Sequence, residues 1–213
     1  MSPSAVPMRL AVLVSGSGTN LQALLDAIAA DPGFGGEVVV VGSDRPDAGG
    51  LERARAAGIA TVVEALDDHP DRPTWEGVLR ARLEDQEPDA VVLAGFMRIL
   101  SGAFLDGWPD RVINTHPSLL PAFRGAHAVS DALEHGVKLT GSTVHLVDEQ
   151  VDHGPIVAQR AVEVAEDDDE TSLHERIKVV EHELLPACVK LLCQDRLVVD
   201  GRHVHVRPDR SRP

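Results

Sequence analysis

Apolar residues along the chain fall into short unbroken runs separated by stretches of helical period. Residues 9–15 (RLAVLVS) form a continuous apolar run of buried-strand length, and Leu21, Leu24, Leu25 and Ile28 then recur at i, i+3, i+4 and i+7. The spacing predicts an amphipathic helix closed by Asp31-Pro32-Gly33. The same alternation continues with strands over 37–41, 59–63 and 90–94, and with helices over 49–57 and 74–84, the latter carrying Trp75, Val78, Leu79 and Leu83 on one side. Strand and helix in regular alternation predict an α/β fold with a doubly wound, mostly parallel sheet.

Further along, residues 126–134 read as a helix and residues 140–147 and 156–164 as strands, with His145 on the Thr143 and Val147 face. A lone histidine on a strand is ordinarily structural, and His145 is read so here. Residues 166–170 read as a solvated acidic linker. Leu173, Ile177, Val180, Leu184, Cys188 and Leu191 mark a C-terminal helix, with Ser172 and Glu175 as its capping box. Pro186 should kink it and free the carbonyl of His182. Residues 197–206, centred on Asp200-Gly201, predict a C-terminal β-hairpin. The whole reads as one domain, residues 1–213, with flexible tails at 1–7 and 207–213.

In such sheets, ligands gather beyond the carboxyl ends of the strands. Four strand ends are therefore candidates: residues 15–18, 43–44, 95–100 and 114–116. The first is a Gly-rich turn, SGSGTN, running straight into a helix. Its backbone N–H groups can cradle a phosphate, although Leu21 stands where a dinucleotide fingerprint needs Gly or Ala. The third, GFMRIL, sets large apolar groups beside one cation and suits a flat heterocycle as well as plain core packing.

The fourth carries the most chemistry. In RVINTHPSLLP, a strand end places Asn114 and His116 two residues apart, hence on one side of an extended chain, before proline stops the strand. An amide donor and an imidazole together can stabilise an oxyanion and manage a proton. A carboxylate would orient the ring and favour its charged form. Asp152 fits best, because Gly154-Pro155 fix the backbone after it, with Asp148 and Glu149 as alternatives. No G-x-S-x-G elbow is present, and the ten histidines show no H-E-x-x-H or comparable metal spacing. Direct transfer through a tetrahedral intermediate remains, with Asn114 and a protonated His116 binding the oxyanion and no metal expected.

Composition narrows the partners. Among 213 residues, 20 are basic and 34 acidic, a net charge of −14, which argues against nucleic-acid or anionic-membrane binding. No apolar run reaches the ~18 residues of a membrane span, and the two cysteines read as buried free thiols, so a soluble cytoplasmic protein is expected. A monomer and a homodimer are both compatible with the sequence.

SGSGTN, AGFMRIL, NTHPSLLP and VDHGP, in this order over nearly the whole chain, resemble the signatures of the phosphoribosylglycinamide formyltransferase family, one of the folate-dependent formyltransferases. The resemblance implies a Rossmann-like formyltransferase fold. It also implies transfer of a formyl group from 10-formyltetrahydrofolate to the amine of glycinamide ribonucleotide, in purine biosynthesis. Asn114, His116 and Asp152 would be catalytic. Gly18, Thr19 and Asn20 would hold the ribonucleotide together with Lys178 and Glu181, which periodicity alone reads as a surface ion pair. The folate would meet Arg72, Met97, Arg98, Ile99 and Leu100, and the loop of Asp148, Glu149, Gln150 and Val151. Two positions depart from the family pattern: His153 stands where Gly is expected, and Val129 where a second His follows His127. A tRNA-directed formyltransferase should carry a basic C-terminal domain, and a formyltetrahydrofolate hydrolase an N-terminal regulatory one. A non-catalytic nucleotide-binding module would explain the Gly turn alone.

Overall fold

A computed structural model describes residues 6–208. Residues 1–5 and 209–213, which make up most of the two expected tails, lie outside the described residues. Arg207 belongs to the folded part, because its N–H donates to Arg196 O and its carbonyl accepts from Arg196 Nε, both at 2.8 Å.

The first half of the chain alternates as its apolar runs predict: β1 Met8–Val14, α1 Thr19–Ala30, β2 Gly36–Ser43, α2 Gly49–Ala56, β3 Ala60–Val63, α3 Arg72–Glu84 and β4 Ala90–Leu93. A one-turn helix not foreseen in the sequence, α4 Gly102–Leu105, precedes β5 Val112–His116. The second half holds α5 Ala128–Glu134, β6 Leu139–Leu146, β7 Ile156–Glu163, α6 Glu170–Cys193, β8 Leu197–Asp200 and β9 His203–Val206.

The nine strands of the described residues form one sheet in the order β3-β2-β1-β4-β5-β6-β7-β9-β8. From β3 through β5 every neighbour is parallel, whereas β5–β6, β6–β7 and β8–β9 are antiparallel. The C-terminal hairpin of β8 and β9 forms as predicted, turning at Gly201 with φ 58°, and extends the sheet by pairing β9 with β7.

Side-chain alternation on β1 divides the core. Leu10, Val12 and Val14 pack toward α1 and α6, while Ala11 and Leu13 meet Trp75, Leu79 and Leu83 of α3 on the opposite face. Both faces of the central strands are therefore covered, so β4 reads AVVL with all four residues buried.

Two local expectations need correction. The cap of α6 is Asp169 and not Ser172: its carboxylate accepts the Ser172 N–H at 2.8 Å, and Ser172 Oγ accepts the Asp169 N–H at 3.0 Å. The acidic run before the helix is thus a built terminus. The Asp168 side chain is only 3 % exposed and is clasped by Arg176, which holds its carboxyl well below the usual range. At the other end, α6 continues through Pro186 as helix to Cys193, and Pro186 is itself buried among Leu184, Leu185 and Val189.

Leu185 is fully buried between α6 and the sheet. Leu185→Ala is expected to destabilise the fold by about 2–5 kcal/mol. Urea unfolding should show a lower midpoint with the same slope, and an unchanged midpoint would contradict this packing.

Candidate active site

The site begins where β5 ends against β6. Asn114 pairs with Leu93 of β4 and directly opposes His145 of β6, while His116 opposes Thr143. Asn114, His116 and His145 therefore stand on one face, and Thr115 between them points to the other. His145 Nδ1 donates to Leu146 O at 2.9 Å, which leaves Nε2 to accept one N–H of the Asn114 amide at 3.1 Å. The second Nδ2–H of Asn114 is left for the cavity. His145, read as structural from the sequence, is thus a member of the site that orients its amide. The signal was its place on the Thr143 and Val147 face, but its partner is set by strand register and not by local sequence.

The loop after β6 folds Asp152 onto the same group. Asp152 has φ 47°, a left-handed conformation held by the turn around it, and Gly154 packs so tightly on Leu146 O that no Cβ fits there. One Asp152 oxygen accepts the Gly125 N–H at 2.8 Å and lies 3.4 Å from His116 Nδ1, while the other is 3.7 Å from His145 Nε2. Burial pushes the Asp152 carboxyl up, but the two imidazoles and the Gly125 N–H outweigh it and leave the group below its ordinary value.

His116 is only 5 % exposed, and its Nε2 donates to Phe123 O at 2.7 Å. Nδ1, facing Asp152, is then its one free basic atom. Burial lowers the His116 pKa, with Asp152 and the Phe123 carbonyl opposing the shift without cancelling it. Burial thus favours the neutral ring in the free protein. A proton arriving at Nδ1 would find Asp152 beside it.

These groups line a cavity of about 600 Å³ that also reaches the Gly-rich turn and α6. Gly18 is the left-handed cap of α1 (φ 72°), and Thr19 and Asn20 open the helix, so the turn presents backbone N–H groups at a helix N-terminus. Asn20 Nδ2 donates to Glu181 Oε2 at 3.1 Å, while its buried Oδ1 has no partner among the described residues. Glu181 also meets Thr115 Oγ1 at 3.5 Å. Its burial raises its pKa, against the pull of Asn20, Thr115 and Lys178. Lys178 and Glu181 both line the cavity but are not an ion pair: Lys178 Nζ bonds Glu175 at 2.6 Å on the outer side of α6. A further lining residue on this helix, His174, was not singled out from the sequence.

Across the cavity, Met97 and Ile99 are 64 % and 54 % exposed, Leu100 is buried, and Arg98 reaches back to Asp44. Asp148, Gln150 and Val151 face this wall. Glu149 packs against Gly102 instead, and Arg72 lies behind the wall, donating to Ile99 O and pairing with Glu76. His153 joins Asp148 at 2.6 Å and is held through its carbonyl by Arg202 of the hairpin at 2.7 Å. Val129 is buried with Leu173 and Ile177, so an imidazole there would displace core packing. Among the described residues no cluster of three or more His, Cys, Asp or Glu is placed to hold a metal ion, and no helix is long and apolar enough to cross a membrane.

Known proteins resemble this chain over most of its length. The phosphoribosylglycinamide formyltransferase of Mycobacterium tuberculosis is 50 % identical over 200 residues, covering 94 % of this chain and 92 % of that protein. The human trifunctional purine biosynthetic protein adenosine-3 is 44 % identical over 184 residues, covering 86 % of this chain and 18 % of its own length. The crystal structure of glycinamide ribonucleotide transformylase 1 from Symbiobacterium toebii superposes with a TM-score of 0.91 at 46 % identity, covering 95 % of each chain. The phosphoribosylglycinamide formyltransferase of Coxiella burnetii, solved with CHES, superposes with a TM-score of 0.87 at 36 % identity, covering 94 % of this chain and 93 % of that one. The model of the formyl transferase family matches residues 8–189, from the first residue of β1 to the last turns of α6, and with an amide donor, a basic ring nitrogen and a buried carboxylate at one point of its cavity the chain belongs to that family.

Proposed function

We propose that the chain transfers the formyl group of 10-formyltetrahydrofolate to the amine of glycinamide ribonucleotide, giving formylglycinamide ribonucleotide and tetrahydrofolate. The observation that carries this reading is the convergence of Asn114, His116 and Asp152 in one cavity, between a Gly-rich helix N-terminus and an apolar wall. Relatives named phosphoribosylglycinamide formyltransferase, alike over more than nine-tenths of both chains, support the same substrates.

Each part of the cavity has a chemical task in this reaction. The ribonucleotide phosphate takes the N–H groups at Gly18, Thr19 and Asn20. Glu181 and the unpartnered Asn20 Oδ1 accept from hydroxyl or amine groups of the same substrate, and Lys178 adds positive charge beside it. The pterin ring lies against residues 97–100 and the 148–151 loop. Arg72 and Glu149, which stand off the wall, act on the donor through the segments they hold.

Attack of the amine on the formyl carbon forms a C–N bond and moves one electron pair onto the formyl oxygen. The free Nδ2–H of Asn114 donates to that oxyanion. His116 Nδ1 takes the proton shed by the attacking nitrogen, and the imidazolium so formed is flanked by Phe123 O and Asp152. When the intermediate collapses, the carbon–N10 bond breaks and the same proton passes from Nδ1 to the departing nitrogen. The sum exchanges one formyl group for one hydrogen, with His116 returned to its neutral form.

Purified protein should consume 10-formyltetrahydrofolate in proportion to added glycinamide ribonucleotide. Consumption with water alone would indicate a hydrolase instead, and no consumption under either condition would refute the reading. Asp152→Asn should lower kcat by ~10²-fold or more, since the base loses the carboxylate that stabilises its charged form. Wild-type turnover in that variant would remove Asp152 from the mechanism. The pH profile offers an independent check. The free enzyme needs His116 neutral, and burial lowers its pKa from the ordinary histidine value, so kcat/KM should be flat at neutral pH and fall only on an acid limb centred below that value. Removing the Asp152 charge takes away an upward pull, so residual activity of the Asn variant should show that limb at still lower pH. A limb above the ordinary histidine value would contradict the neutral ring.

A further inference from the structure

The ends of β1 and β2 lie side by side, with Val14 paired to Ser43, so the next residues, Ser15 and Asp44, are neighbours just beyond the sheet. Both are 4 % exposed. Ser15 Oγ donates to Asp44 Oδ1 at 2.6 Å and accepts the Met97 N–H at 2.9 Å. Arg98 Nε donates to the other Asp44 oxygen at 2.7 Å. Asp44 does not itself line the cavity, although Ser15, Met97 and Arg98 all do. A buried carboxylate is costly to desolvate and persists where its lone pairs are filled. Here they are filled by one residue from the root of the phosphate turn and one from the opposite wall.

We propose that Asp44 is a positioning residue for formyl transfer, fastening the Met97-Arg98 wall to the root of the Gly-rich turn and so setting the affinity for the folate donor. The inference rests on the formyl-transfer reading and adds a residue that touches neither substrate. An amide cannot replace the carboxylate. Oriented to accept from Ser15, an asparagine would turn its own N–H groups on Arg98 Nε; flipped, it would accept from Arg98 but could only donate to Ser15 Oγ, leaving the Ser15 O–H without its acceptor.

Asp44→Asn tests this with steady-state kinetics and with direct titration of folate by fluorescence. Loss of a hydrogen bond to a charged group is expected to raise the donor KM and Kd ~10-fold or more, with kcat within about threefold of wild type because the Asn114 and His116 geometry is made elsewhere. Arg98→Ala should raise the donor KM as well, and the double variant should be no worse than about twofold beyond it, since both changes cut one link. A donor KM in Asp44→Asn equal to wild type, or effects of the two variants that multiply, would overturn the proposal. If Asp44→Asn does not fold, Ser15→Ala carries the test, because it cuts Met97 N from Asp44 and leaves the carboxylate with Arg98. A raised donor KM at near-wild-type kcat supports the role, and an unchanged one refutes it. A wild-type protein that binds folate without transferring formyl would fail the functional reading alone, and the variant's Kd would still decide the role of Asp44.

Discussion

The site depends on one change of strand direction. Up to β5 the sheet is parallel, so each strand ends at the same edge and hands its chain to a helix. At β6 the direction reverses, and an antiparallel neighbour sets its side chains directly opposite those of β5. That reversal supplies His145 to Asn114, and the loop leaving β6 returns Asp152 to the same few ångströms. The pleat of β5 adds a second economy. Asn114 and His116 face Asp152 and His145, while Thr115 between them faces Glu181 of α6, so one strand end lines the cavity with both of its faces.

Burial and charge divide the work between the two titrating partners. His116 and Asp152 are both withdrawn from water, yet the first starts neutral and the second starts ionised. The same desolvation acts on both, and the difference lies in what surrounds Asp152: the Gly125 N–H donates to it, and two imidazole rings stand 3.4 and 3.7 Å from its oxygens. Such a pair is set for a proton to arrive at Nδ1, because arrival converts a neutral ring beside a carboxylate into an ion pair. Glu181 makes the contrast: it is also buried, but its partners do not outweigh burial and its pKa is raised.

Much of this was legible along the chain because it is local. Buried strands announce themselves as unbroken apolar runs, and the i, i+2 rule alone put Asn114 and His116 on one face. Asp152 could be singled out because Gly154-Pro155 fix the backbone after it. What escaped depends on distant partners. His145 became part of the site through register, the outer partner of Lys178 proved to be Glu175, and Arg72 was turned to the back of the wall by Ile99 O and Glu76. The cap of α6 differs from the reading because Asp169 and Ser172 both suit an N-terminal signature, and only the reciprocal bonds between them show which one precedes the helix. Asp44, an acidic residue in a loop, gives no hint in the sequence that two walls of the cavity meet on it.

One close approach bears on how this cavity can diversify. A Cβ on Gly18 would collide with the Cα of Gly50, the second residue of α2, and one on Gly50 would press into Val14 of β1. Arg53, also on α2, is bonded to Ser17 O at 2.8 Å, directly before Gly18. The turn and the start of α2 are therefore a single steric unit assembled from segments far apart in the chain. Enlarging either glycine forces a backbone shift that the other must share. The contour of the turn is therefore tied to the seating of α2, whereas polar groups around it can be exchanged without moving either backbone.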